Sequence, residues 1–99
     1  MAAWFAWDEA KALANQLKHG VSFETARFVF ADPHALSEQD RIEGGEYRWR
    51  TLGLVNGVVV LLVAHTATDH KDGDETIRII SARQATRTER RRYDQAREI

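Results

Sequence analysis

Hydrophobic positions along the chain change period where the elements change. Ala10, Leu13, Ala14 and Leu17 fall at i, i+3, i+4 and i+7, one apolar stripe on an amphipathic helix over Glu9 to Lys18. Asp8 is a good N-cap for that helix, and Gly20 supplies the permissive residue at its end. Phe5 to Trp7 reads as a short strand before it. Ser22 can cap a second helix, from about Phe23 to Phe30, with Phe23, Ala26 and Phe30 on one face, and Asp32-Pro33 closes it.

From Glu46 the period becomes two. Tyr47, Trp49 and Thr51 alternate with Glu46, Arg48 and Arg50, which predicts a strand with one aromatic and one ionic face. Asn56-Gly57 between Val55 and Val58 is a hairpin signal, because both residues take the positive φ of a type I′ turn. Val58 to Ala64 is apolar on both sides and so predicts a central strand. An acidic loop, Asp69 to Asp74, leads to a strand over Thr76 to Ser81. Thr86 and Glu89 fit a capping box that opens a C-terminal helix running to about Arg97. With a further strand over 35 to 42, the order is β-α-α-β-β-β-β-α. The fold class is therefore α+β: two N-terminal helices, a mostly antiparallel, twisted sheet of about four to five strands, and a C-terminal helix. On this reading the helices cover one sheet face and the other is free to receive a ligand.

At 99 residues, with 43% hydrophobic and 29% charged positions, the chain reads as a single folded domain over residues 1–99. It has no cysteine, which removes disulfides, thiolate metal sites and cysteine nucleophiles, and it reads as cytoplasmic. Met1 to Lys11 does not read as a secretory signal, and Val58 to Ala64 is too short to span a bilayer, so no membrane role is indicated. The net charge of −1 conceals an asymmetry. Residues 78–97 hold seven arginines against Glu89 and Asp94, whereas residues 32–46 hold five acids against Arg41. A chain so divided can offer a cationic surface to phosphates without being basic overall.

Several residue blocks occur in order: Phe5-Ala6-Trp7-Asp8, Lys11, Asn15, Lys18-His19-Gly20-Val21, Phe23, Ala26, Asp32, Glu46, Arg48, Gly53, Ile77-Arg78-Ile79-Ile80-Ser81-Ala82-Arg83, Ala85, Glu89 and Tyr93. Together they resemble the BrnT toxin family over nearly the whole chain. The resemblance implies a compact RelE-like fold, metal-independent endoribonuclease activity that inhibits translation, and no cofactor. It also implies neutralisation by a BrnA-like antitoxin with a ribbon-helix-helix domain, DNA being reached only through that antitoxin. The acidic stretch after His65-Thr66 departs from the family pattern, in which a short arginine-containing segment often follows. Two other functional classes stay open: a ParE-like toxin that poisons a protein without cleaving RNA, and an interaction module.

Metal-free RNA cleavage needs a base, an acid and cations to meet the phosphorane. Lys18, His19, Arg48 and Arg83 are the catalytic candidates, His19 for proton transfer because it titrates near neutrality. Arg78, Arg90, Arg91 and Tyr93 are the substrate-binding candidates, and no metal site is expected. Each has a plainer reading. Lys18 and His19 suit a helix C-terminus, Arg48 a cross-strand ion pair, Arg90 and Arg91 a solvated helix face, and Tyr93 packing. Arg78 and Arg83 are an odd number of residues apart, so on a regular strand they point to opposite faces. The loop acids and His70 do not match an EF-hand.

Overall fold

One sheet is built from β1 (Ala3–Ala6), β2 (Leu36–Glu43), β3 (Glu46–Val55), β4 (Val59–Asp69) and β5 (Glu75–Gln84), in the spatial order β1-β5-β4-β3-β2; four strands run antiparallel, and β1 adds to β5 in parallel at one edge. The structure is a computed structural model that describes residues 3–98, so the two ends of the expected domain 1–99, and Met1 and Ala2 of the segment read against a secretory signal, lie outside the described residues. The helices are α1 (Glu9–His19), α2 (Phe23–Ala26) and α3 (Arg87–Arg97). Among the described residues no helix is long and apolar enough to cross a membrane.

Local signals set the element ends. The Asp8 side chain accepts from Lys11 N–H, and Gly20, at φ 71°, returns its N–H to Gln16. Asn56 and Gly57 both take positive φ (55° and 68°) in the β3–β4 turn. The expectation of two N-terminal helices is corrected. After α1 the second is a single α-turn, capped by Ser22, that continues as a 3-10 segment over Arg27–Ala31. The tighter winding lays Val29 against β3 at Gly53. A Cβ placed on Gly53 would stand 2.7 Å from Val29 Cγ1 and 2.8 Å from its carbonyl oxygen.

The sheet has two apolar layers. On one face Val55, Leu61, Val63, Ile79 and Ala82 meet Phe23, Ala26 and Val29, with Phe5 and Trp7 packed at the margin. We call this the helical face. On the other face Leu52, Val60 and Leu62 meet Tyr93 of α3. Helices therefore lie on both sides, not on one as the pattern predicted. The physical reason is that the even-numbered residues at the centre of β3 and β4 are also apolar and need cover.

Asp32 joins the two layers around the edge of β3. The pairing of β2 with β3 begins at Leu36 opposite Leu52, and on β3 beyond Leu52 the Asp32 carboxylate accepts the Leu54 N–H at 2.8 Å; it also accepts the Tyr93 hydroxyl. Burial pushes the Asp32 carboxyl up, but these donors and the His34 N–H outweigh it and hold it below the ordinary range. Burial, with that same carboxylate, pushes the Tyr93 hydroxyl up to about 12.

The helix α1 is turned the unexpected way. Its apolar stripe looks outward, with Ala10 and Ala14 exposed and Leu13 and Leu17 at 61% and 81% exposure, while Asn15 is buried. The Asn15 amide donates to the carbonyls of Ala82 and Val21 at 2.8 and 3.1 Å, and its oxygen accepts the Ala82 N–H at 3.1 Å. A polar clasp on β5 decides the rotation of the helix.

Candidate RNA-binding face

On the face carrying α3, Tyr93 covers Leu52, Val60 and Leu62, while Arg78 is left exposed. By alternation Arg48 and Arg50 of β3 share that face with Leu52 and Leu54, and Thr66 of β4 shares it with Leu62. Arg78 is the cross-strand neighbour of Thr66, and Arg50 of Ala64, which in turn faces Ser81. Arginines thus stand on β3 and β5 with the small side chains of Ala64, Thr66 and Ser81 between them.

Arg83 belongs to the same face, which overturns the parity argument. The strand is not regular: a β-bulge sets Ile79 and Ser81 against the adjacent His65 and Ala64, so Ile80 is the extra residue. One inserted position reverses the alternation. Arg78, opposite Thr66, and Arg83, opposite Leu62, therefore point the same way.

Their partners separate these arginines. Arg83 is held by Glu89 in a two-pronged pair, Nη1 to Oε1 at 2.7 Å and Nη2 to Oε2 at 3.0 Å. Glu89 Oε1 also accepts the Thr86 N–H, completing the capping box. Arg83 holds the Glu89 carboxyl down to about 2, and Glu89 raises Arg83 in return. This guanidinium is already committed to fixing α3 on β5. Arg50, by contrast, has no ion pair among the described residues, because its cross-strand neighbour Glu38 is taken by Arg92. Among the described residues Arg48 has only Glu43 as an ion-pair partner, at 3.8 Å from its Nε. The Nε atoms of both Arg48 and Arg50 are buried without a hydrogen-bond partner. Arg78 is exposed and unpaired among the described residues. Guanidinium charges gathered on one face and largely without acidic partners suit an anion, and phosphate above all.

The other sequence candidates lie elsewhere. Lys18 and His19 are exposed at the end of α1; His19 lines a recess with Val59, Leu61 and Gln84 on the helical face, across the sheet from Arg48 and Arg78. The structure does not bring them together with the arginines. Tyr93 is 0% exposed and hydrogen-bonded to Asp32, so it offers no surface for a base, and its reading as a substrate contact is corrected to a core residue. Arg90 is exposed and paired with Asp94 at 3.6 Å; Arg91 is exposed on the same helix. In the acidic loop, Asp72 accepts the Asp74 N–H and His70 bonds Thr76, so these side chains close the turn. Arg50 is the residue sequence reasoning passed over. The signal was its i, i+2 spacing from Arg48 on the ionic side of the strand.

The helical face differs chemically. Beyond the 3-10 segment it holds a groove of about 660 Å³ floored by Phe30, Trp49, His65 and Ile77, with Glu46, Asp69 and Glu75 among its lining residues and no lysine or arginine. His65 is buried; its Nε2 lies 2.7 Å from Thr51 Oγ1, which meets Ser37 Oγ at 2.8 Å, and desolvation lowers its pKa.

Comparison with known proteins agrees with this architecture. The crystal structure of the ribonuclease toxin BrnT of Brucella abortus superposes with a TM-score of 0.65 over 88% of this chain and 100% of that one, at 22% identity, which establishes a shared fold. No curated protein sequence matches. Residues 7–89 match the family model described as the ribonuclease toxin, BrnT, of type II toxin–antitoxin systems. With the match covering most of the chain, this protein belongs to the BrnT family of ribonuclease toxins.

Proposed function

We propose that this chain is a metal-independent endoribonuclease that binds the RNA backbone on the arginine face, through Arg48, Arg50 and Arg78. The carrying observation is that Arg48, Arg50 and Arg78 share one sheet face and, among the described residues, have one ion-pair partner between them, Glu43 at 3.8 Å from Arg48, with Arg78 exposed. In this reading the guanidinium groups neutralise the phosphate and then the added charge of the phosphorane, while the 2′-hydroxyl gives its proton to water as its oxygen bonds to phosphorus, and the P–O5′ bond breaks with the 5′-oxygen taking a proton from water. The products are a 2′,3′-cyclic phosphate and a 5′-hydroxyl. Arg83 acts at one remove, by seating α3 beside this surface. Lys18 and His19 stand across the sheet and contact no phosphate.

The wider reading is a cytoplasmic toxin, RelE-like in fold, that stops translation by cutting RNA. A BrnA-like antitoxin with a ribbon-helix-helix domain neutralises it and links the pair to DNA. The test is labelled RNA incubated with purified, antitoxin-free protein in excess chelator. Fragments ending in a cyclic phosphate are the expected product. Intact RNA from a folded preparation overturns the enzymatic reading, and cleavage only on adding a divalent ion overturns metal independence.

A further inference from the structure

An amphipathic helix ordinarily turns its apolar stripe to the core, and α1 does the reverse. Ala10, Leu13, Ala14 and Leu17 form one stripe by spacing, yet Leu13 and Leu17 are 61% and 81% exposed. The three hydrogen bonds of Asn15 to Ala82 and Val21 hold the helix in that rotation. A helix whose local pattern conflicts with its packing, and whose conflict is enforced by a buried polar clasp, marks a surface kept for another molecule.

From this we infer that the outward stripe of α1 is the docking surface for the antitoxin, and that it takes an amphipathic helix carrying acidic residues along one flank. The inference rests on the reading that a protein antitoxin neutralises this chain. Charge defines the partner's orientation. At 100° per residue Lys11 and Lys18 lie together along one flank of the stripe and Glu9 along the other. Both lysines are exposed and free of ion pairs among the described residues. A second copy fits badly, because an antiparallel, two-fold pairing on this stripe sets Lys11 of each copy against Lys18 of the other. Four side chains on an 11-residue helix also fall short of the roughly 800 Å² per partner of a stable interface. The antitoxin must therefore extend past α1.

The test measures binding of the toxin to the protein encoded by the reading frame beside its own, by calorimetry, with RNA cleavage and thermal melting as parallel readouts. Leu13→Asp/Leu17→Asp is expected to weaken binding about a hundredfold or more, with melting temperature and RNA cleavage by the free toxin unchanged. Lys11→Glu is expected to weaken it about threefold to tenfold, and Leu17→Met to leave it within about threefold. Binding of the double variant within threefold of wild type overturns the proposal. So does a drop in its melting temperature, which would show the stripe to be part of the core. A wild-type dimer that the double variant converts to a monomer assigns the stripe to a second copy instead and overturns it too. Failure of the wild-type pair to bind overturns the antitoxin reading and this inference together, while leaving the cleavage assay of the proposed enzyme untouched.

Discussion

The two faces of this sheet, one strand thick, have opposite chemistry. On the helical face the open groove is bordered by Glu46, Asp69 and Glu75, with no lysine or arginine among its lining residues. On the other, Arg48, Arg50 and Arg78 have a single acidic partner among the described residues, Glu43. In the proposed binding mode a polyanion meets attraction at the arginines and repulsion at the acidic groove, so the division would orient RNA before any specific contact forms. A net charge near zero is compatible with strong binding when the charges are sorted in this way.

The largest effect follows from removing that sorting. Arg48→Ala/Arg78→Ala is expected to lower kcat/KM for RNA by about a hundredfold or more, since each charge-assisted contact contributes about 1.5–3 kcal/mol. Arg50→Ala alone should lose about tenfold or more. His19→Gln, across the sheet, should stay within about threefold of wild type. Raising salt should depress wild-type binding more steeply than that of the double variant, because fewer counterions are released when fewer phosphates are held. If His19→Gln abolishes cutting while the arginine variants cut normally, the assignment of faces is reversed.

What the sequence made legible was local. The α1 helix was readable from Asp8, its spacing and Gly20, and the β3–β4 hairpin from Asn56-Gly57, because each signal acts within a few residues of its effect. The rotation of α1 was not readable, since it depends on Asn15 bonding to Ala82, 67 residues away. Likewise the shared face of Arg78 and Arg83 depends on the bulge at Ile80, which appears only when β5 is paired with β4. Tyr93 could be read as packing, but its partner Asp32 lies 61 residues off. The acidic groove draws its wall from four strands and the 3-10 segment, so no stretch of sequence displays it.

The faces are also joined, and the joint can be cut. Asp32→Ala leaves the Leu54 N–H and the Tyr93 hydroxyl without their acceptor, one of them against a fully buried ring. The expected loss is about 2–4 kcal/mol in a urea titration, against about 1–2 for Tyr93→Phe, which removes one donor only. The Tyr93 hydroxyl adds an alkaline limit. Its folded pKa of about 12 lies above the ordinary 10, so its contribution is complete below pH 10 and is lost as pH rises toward 12. Equal losses in the two variants would mean that Asp32 serves Tyr93 alone and does not also close the β3 edge.

Gly53→Ala separates the faces in the other direction. The new methyl would collide with Val29, including its backbone oxygen at 2.8 Å, so the 3-10 segment must lift from β3. About 1–3 kcal/mol of stability should go. RNA cleavage per folded molecule should hold, because the arginines lie beneath on the opposite side. A matching fall in kcat for fully folded protein would show that the two faces communicate through β3.

The smallest effect tests how α3 is kept beside the arginines. Glu89 is held down to about 2, against an ordinary 4.5, first by the paired donors of Arg83 and then, with burial opposing, by the Thr86 N–H. A depressed carboxyl stabilises the fold while it is ionised there, so the contribution is complete above about pH 4.5 and is lost as pH falls toward 2. Glu89→Gln keeps the size and an acceptor for the cap but removes the charge. Because the Arg83 side chain is 36% exposed, solvent screens the pair, and the cost at pH 7 should be about 1 kcal/mol. That corresponds to a fall in Tm of about 4–8 °C for a domain of this size. The gap between wild type and variant should then narrow as the pH is lowered from 4.5 toward 2. Asp32, which is also depressed, titrates in both proteins and cancels from the difference. A gap that stays constant over that range would show that Arg83 and Glu89 hold α3 by shape and not by charge.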